Sequence, residues 1–508
     1  MTLYRNAREI AIFTPQLSCK GDSSRCILTA IPGPLATMMI ADTQPLFAWA
    51  ALEDSPSQAT IRRCLEAIPD SALLRDLRLA RGRGRDDYPV SLLWGVALLT
   101  PLLRHASYDA CLAELRRNPA LQRLLGVEFE EQIPHHWNLS RFLDVLGHPA
   151  HLGAMRVSFD AMVRRLAAVV PDLGRRCAGD ATALSARRGD AARQQAELTL
   201  GLPQPAGGRK EYLDAEGKIE RVVEWFGYKL HLLVDARHEV VLAYRITAPA
   251  VGDNQVIEEL LTQASATLPA GRIESLAYDK AADDDAVHRL LHRAGIKPLI
   301  ENRALWKSEL ERVLPGHTGR SNLVHDESGT IHCYDKMSTP MVRHRMAYIG
   351  HEVRRGTLKY RCPARHEGWS CASDERCNGG GRYGLVARIK SELDPRRFPA
   401  IPRATKQFER LYKGRTAVER VNARLKLYWG ADDANVVGAR RFQAMVGVVL
   451  LVHLATATTL ARSAPATIKT LGGTRLSPIA EALNDAIARE RSCAREGATA
   501  STSSELPQ

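Results

Sequence analysis

Three acidic residues in this sequence sit where they could meet around a metal. Asp180 follows Gly179 at the predicted end of a strand, in the run Cys-Ala-Gly-Asp-Ala-Thr-Ala-Leu. Asp279 ends the apolar run Ile-Glu-Ser-Leu-Ala-Tyr in the same way. Aspartates at the ends of neighbouring strands face a common cleft, where open α/β sheets place their ligands. Taken singly, each also reads as a turn or helix-cap residue. The third acid, Glu419, lies in a tighter pattern. Tyr412, Arg415, Glu419, Asn422 and Lys426 are spaced three, four, three and four apart, so a helix lines them on one face. An acid with Arg one turn away, and with Tyr and Lys two turns away, suits a ridge that ligates a cation and grips phosphates on either side. A surface helix with ordinary i,i+4 charge pairs is the alternative. Hard divalent cations prefer carboxylate oxygens. Two such ions, roughly 3.5 to 4 Å apart, are what in-line phosphodiester chemistry uses. Asp180, Asp279 and Glu419 are therefore the candidate ligands of a pair of Mg or Mn ions.

An α/β domain has to position these acids. From Arg175 to Asn302 short apolar runs alternate with helical stretches. A strand leads into Asp180, followed by a polar, Gly-rich excursion through Gly207, Gly208 and Gly217. Strands at 228–234 and 240–246 flank a turn at 235–238, and a helix with Asp253 as its N-cap runs to about Leu268. A strand at 273–278 delivers Asp279, a helix spans 284–294, and a strand at 297–300 closes the unit. Two antiparallel strands followed by strand-helix-strand alternation is the order of an RNase-H-like mixed sheet with flanking helices. The periodicity of residues 46–168 is helical, as in 92–103 and 142–146, so an all-α domain precedes the core, which occupies 169–302 and resumes at 401–465. Residues 303–400 read as an inserted subdomain before the third acid. Residues 1–45 are poorly patterned and end near Met38 and Met39, either of which could be the native start. The tail, 466–508, is expected to be largely disordered.

With 508 residues and 45% apolar composition the chain can bury a substantial core. Its net charge of +13 favours a polyanionic partner but fits a plain basic enzyme as well. Arg75, Arg78, Arg81, Arg83 and Arg85 form a basic cluster that reads equally as solvated loop or DNA-contacting surface. Ten scattered cysteines point to a reducing cytoplasm rather than a disulfide scaffold. No secretory apolar core forms near the N-terminus, and the apolar stretch 444–460, interrupted by His453, reads as a buried core helix, so no membrane span is expected.

The run from Tyr412 to Lys426 resembles the signature of bacterial insertion-sequence DDE transposases. One large group of these carries Tyr, Arg, Glu and Lys on the third-carboxylate helix, separated by two, three and six residues, as here. The segment Trp225-Phe226-Gly227-Tyr228-Lys229-Leu230-His231-Leu232-Leu233-Val234-Asp235 is similar to that family's second-strand region. Residues 70–145, especially 134–142, are similar to the helical domain that often precedes it. The resemblance implies that Asp180, Asp279 and Glu419 hold the metals. It implies that Arg415 and Lys426 contact DNA phosphates, with Tyr412 and Asn422 on the same DNA-facing ridge. Its partners would be double-stranded DNA, as terminal inverted repeats and target, and a second copy of the chain, on the nucleoid. One departure stands out. The family often has Lys-Gly-Tyr-Asp after the second aspartate, whereas Lys280 is followed by Ala281, Ala282 and the acids Asp283 to Asp285, which could cap the next helix or offer a decoy carboxylate. Rival readings are an RNase-H-like nuclease or resolvase without strand transfer, and a transposase-derived DNA-binding protein that has lost catalysis.

The insertion holds Cys333, Cys362, Cys371 and Cys377, with His332, His344, His351 and His366 interspersed. Zinc sites usually use two tight Cys/His pairs, and the spacing here is irregular. A structural zinc and free thiols in a β-rich insertion both remain open. Trp369, or alternatively Trp306, could stack on a flipped base, or simply be packed.

Overall fold

The computed structural model describes residues 49, 52–53, 56–83, 87–214, 218–307, 310–317, 319, 322–463 and 478–503. Met38, Met39, Arg85 and Gly217 lie outside them.

Helices fill the first part of the chain, each started by a local signal. Ser57 and Ser107 cap Gln58–Ala67 and Tyr108–Arg117 through backbone N–H groups of Thr60 and Ala110. Proline occupies the first turn of Pro119–Leu125 and of the long helix Pro149–Val169, where its missing N–H costs nothing. Val90–Leu102 is apolar on every side and buried on every side. Ala439–Ser463, the late apolar stretch, is buried along most of its length and packs against helices 58–67, 90–102, 136–146 and 149–169 and against the sheet. It is long and apolar enough to cross a membrane, but its most apolar window is 94% buried in protein. Glu197 caps its N-terminus by accepting the N–H groups of Ala439 and Arg440. Inside it, His453 is buried with its Nε2 facing the N–H of Val241 at 3.1 Å. That contact satisfies a backbone donor beside an irregularity in strand pairing.

The central sheet is mixed. Its strands are β1 (Arg176–Ser185), β2 (Ala206–Leu213), β3 (Ile219–Asp235), β4 (Val241–Thr247), β5 (Ser275–Tyr278) and β6 (Lys297–Ile300). β3 lies antiparallel to β1, β2 and β4, while β5 and β6 continue parallel on the other side of β1. β2 pairs with the first half of β3 while β4 and β1 pair with the second half, so one long strand serves three partners. Parallel pairing of β1 with β5 runs from Arg176↔Ser275 to Ala178↔Ala277. Two residues beyond the last pair come Asp180, still within β1, and Asp279, just past the end of β5. With helices on its faces, this mixed sheet is an RNase-H-like core.

Between β6 and the helix that starts at Lys406 lie two small antiparallel sheets. The first, in the order β10-β9-β8-β7, contains β7 (Glu311–Val313), β8 (Leu323–Asp326), β9 (Ile331–Asp335) and β10 (Val342–Arg345). The second contains β11 (Ala347–Glu352), β12 (Thr357–Arg361) and β13 (Val386–Lys390). They share a core of their own that includes Leu323, Ile331, Leu358, Tyr360 and Phe398.

Four sequence expectations change. β1 does not end at Asp180 but continues to Ser185, because β3 goes on pairing with it after β5 stops. The Gly-rich excursion is partly strand, and Gly208 is needed there because the Trp225 ring lies where its Cβ would be, 2.3 Å away. Asp253 does not cap the following helix: it opens a short 3₁₀ turn, and Ile257–Thr267 starts after Val256 without a side-chain cap. The tail carries a helix, Pro478–Ser503, held by buried Leu483 and Ile487, by the pairing of Arg165 with Glu490 and by a bond from Arg462 to Asn484.

The acidic run after Asp279 is resolved by its partners. Asp284 caps helix Asp285–Arg293 by accepting the N–H of Ala286 at 2.8 Å. Asp283 is fully buried and binds Arg396 and Arg403 at 2.9 Å each, His288 at 2.9 Å and the Arg303 N–H at 2.8 Å. It thereby ties both ends of the 303–400 segment to the core, and these partners hold its carboxyl well below the usual range despite burial. Replacing Asp283 by Ala leaves two buried guanidinium groups without their counter-ion, so a loss of about 3–5 kcal/mol is expected in chemical denaturation. A loss under about 1 kcal/mol would show that the tie is dispensable.

Candidate active site

Glu419 lies on a helical stretch from Lys406 to Tyr428 that is not uniform. An α-helix, Lys406–Tyr412, passes through a 3₁₀ turn at Lys413–Arg415 into Thr416–Ala423 and ends in a π-helical turn, Arg424–Tyr428. Its rotation is set on two sides. Ala417, Val418, Val421 and Leu425 are buried in the core. Arg420 and Arg424 both pair with Glu239, in the turn between β3 and β4. The remaining face, with Arg415, Glu419 and Asn422, is left for β1 and β5, against which the 3₁₀ turn packs.

Arg415 donates to Glu419 Oε1 at 2.7 Å, and Asp180 and Asp279 both act on its charge, so one guanidinium senses all three acids. Asn422 Nδ2 faces Asp180 Oδ2 at 3.5 Å. Asp279 is partly exposed and accepts the N–H of Lys280 at 2.6 Å. Tyr412 stacks on Phe408 with ring centroids 5.5 Å apart, and burial, with Glu301 and Asp279 nearby, pushes its phenol up to about 12. Glu419 itself is exposed. Lys426 turns away from this group. Its Nζ donates to the Ala183 carbonyl at 2.8 Å and pairs with Asp432 at 2.9 Å, latching the π-helical turn onto the end of β1.

Asp180 is the strained member. Burial pushes its carboxyl up to about 6, and the nearby Asp253 carboxylate adds to that effect. The Ala181 N–H and the charges of Lys210 and Arg415 oppose it. Gly179 is required beside it, because an added Cβ would lie 1.9 Å from the Tyr278 ring. The sequence reading missed the group under this point. Lys229 pairs with Asp253 at 3.0 Å, and His231 Nδ1 lies 3.5 Å from the same oxygen while burial pushes the imidazole down to about 4. The i,i+2 spacing of Lys229 and His231 on one face of a strand was the available signal.

Carboxylate oxygens are the donors that hard divalent cations prefer, and these three candidate acids lie within electrostatic reach of one Arg. The fold and this cluster define an RNase-H-like enzyme core. The family profile described as "Transposase DDE domain" matches residues 180–455, more than half the chain, and one described as "Transposase domain" matches residues 50–144. The chain belongs to the DDE transposases, a family that uses divalent metal ions and acts on DNA. No curated protein matches it.

The raised Asp180 value has a definite sign. Its folded-state value lies above the unfolded one near 3.9, so the carboxyl favours folding while protonated, and that contribution is lost as pH rises from about 4 through about 6. In chelator at pH 7.5, Asp180→Asn is expected to stabilise the protein by on the order of 2–3 kcal/mol. Mn²⁺ affinity of the unsubstituted chain, followed by calorimetry, should fall towards tenfold per pH unit below about pH 6. A flat affinity from pH 8 to 5 would refute the assignment.

Proposed function

We propose that this protein is an active transposase that nicks DNA at the ends of a mobile element and joins the freed 3′ hydroxyl to target DNA. The observation that supports this reading is that one guanidinium, Arg415, bonds Glu419 of the signature helix and lies within electrostatic reach of Asp180 on β1 and Asp279 at the end of β5. Asp180, Asp279 and Glu419 would hold two Mg²⁺ or Mn²⁺ ions. When bound, these supply Lewis-acid stabilisation of the attacking and leaving oxygens.

The chain's own residues do the remaining work. Glu239 and the buried face of the helix hold Glu419 in register with the sheet. Asn422 orients the Asp180 carboxylate. Arg415 neutralises the acids and is proposed to exchange Glu419 for a DNA phosphate, with Tyr412, still a protonated donor, beside it. Lys426 serves first to latch the helix and reaches DNA only if its Asp432 contact opens. No protein nucleophile is required, because in-line displacement rests on positioning and charge neutralisation. Pairing two element ends calls for two copies of the chain, so a homodimer on DNA is part of the proposal. The divisions at residues 45, 168, 302, 400 and 465 remain the working domain boundaries.

Glu419→Gln is expected to abolish cleavage and joining of a labelled element end in Mg²⁺ while the mobility shift persists. Simple nicks without joined products from the unsubstituted protein would favour a nuclease, and a shift with no cleavage would favour a binding protein. Arg415→Ala should weaken DNA binding and lower the salt slope by about one. An unchanged slope would remove Arg415 from the interface.

A further inference from the structure

The segment from Arg365 to Leu385 has almost no apolar core beneath it. Ser373 is its only buried residue. Its regular structure amounts to the end of one five-residue helix, Pro363–Glu367, and a second, Asp374–Asn378, each stopped by a left-handed glycine. Helices this short do not hold themselves together in water. Something other than hydrophobic burial must fix the segment.

The fold brings four cysteines to one side of this segment, where Cys371, His344 and Asp335 are the one set of three ligand atoms, among the described residues, that all lie within 4.8 Å of one another. Cys333, on β9, sits between Leu323 of β8 and His344 of β10 in the strand register. Asn322, next to Leu323, points its Nδ2 at Cys377 Sγ, 3.4 Å away. Asn378, next to Cys377, points its Nδ2 at Cys362 Sγ, 3.7 Å away. The Cys371 thiol lies within 4.8 Å of His344 and Asp335 ligand atoms, which links it back to β9 and β10. Burial raises the Cys333 thiol to about 12, and Cys362, Cys371 and Cys377 all add to that rise. None of the four forms a disulfide. Asparagine N–H groups directed at sulfur are the outer-shell donors that metal-bound thiolates require. A bound cation would reverse the effect of burial on such thiols.

Asp335 is excluded from the ligand set by its own bonds. Its carboxylate already accepts from the N–H groups of Met337 and Ala372 at 3.0 and 3.1 Å, and from Ser338 and Ser373 hydroxyls at 2.8 and 2.5 Å. It organises the loop that carries Cys371.

We propose that Cys333, Cys362, Cys371 and Cys377 hold one structural Zn²⁺ that pins the segment 362–385 to the β7–β10 sheet, with Asn322 and Asn378 bonded to the ligating sulfurs. Four thiolates make a closed tetrahedral site with no open position, so the metal is structural. This site shares no residue with the acidic cluster, and its test does not depend on DNA cleavage.

The full-length protein, purified without chelator, is expected to contain about one zinc per chain by elemental mass spectrometry. Its Co²⁺-exchanged form should show thiolate-to-metal charge-transfer absorption. Cys371→Ser and Cys377→Ser should each lower zinc affinity by at least tenfold, while Cys64→Ser leaves it unchanged. A variant that unfolds would lose metal for another reason, so the unsubstituted chain is also alkylated with and without chelator and mapped by mass spectrometry. Protection of the four cysteines that chelation removes supports the site. A chain that is zinc-free and takes up none, an alkylation map indifferent to chelator, or a disulfide among the four overturns it. Retained affinity in Cys371→Ser with loss in His344→Ala would also overturn the four-thiolate set.

Discussion

Like charges brought together in one cleft set the terms for the rest of this core. Asp253 acts on Asp180, while Asp180, Asp279 and Glu419 all act on the Arg415 guanidinium. The protein answers with a few placed cations. Arg415 bonds Glu419 and is acted on by Asp180 and Asp279, Lys229 binds Asp253, and Asp180, raised chiefly by burial, carries a smaller push from Asp253.

Holding that arrangement takes rigid supports whose own polar groups are satisfied. The signature helix is fixed from below by apolar packing and from the side by Glu239, and its π-helical end is latched by Lys426. The sheet beneath it is held from behind by the apolar helix Ala439–Ser463, whose one buried imidazole answers an otherwise unpaired strand N–H. The inserted sheets hang from the core through Asp283, which binds cations from the far end of a hundred-residue excursion. The acid next in sequence to the candidate ligands is thus a structural one.

Two kinds of stabilisation meet in the insertion. One side has an aliphatic and aromatic core of its own, and the other has polar loops gathered around sulfur. A segment with so little apolar area cannot offset its conformational entropy by burial. The zinc site proposed above would supply the missing stabilisation.

Periodicity and spacing in the chain made much of this readable. The alternation of strands and helices from 175 to 302 marked the mixed sheet, and the three-and-four spacing around Glu419 marked a helix face with mixed charge. These signals are local, since each depends only on residues within a few turns or pleats of one another. What lay beyond them depended on partners distant in sequence. The extension of β1 past Asp180 was decided by β3, and the role of Asp253 by Lys229 and His231. The meaning of Asp283 came from arginines more than a hundred residues away, and irregularly spaced cysteines came into one neighbourhood only when β9 and two short helices were brought together. The sequence by itself determined which elements form and which face of each carries chemistry, because those follow from short-range stereochemistry. Only the tertiary structure decided which carboxylates share a cation, because Coulombic and hydrogen-bond energies depend on distance in space and burial.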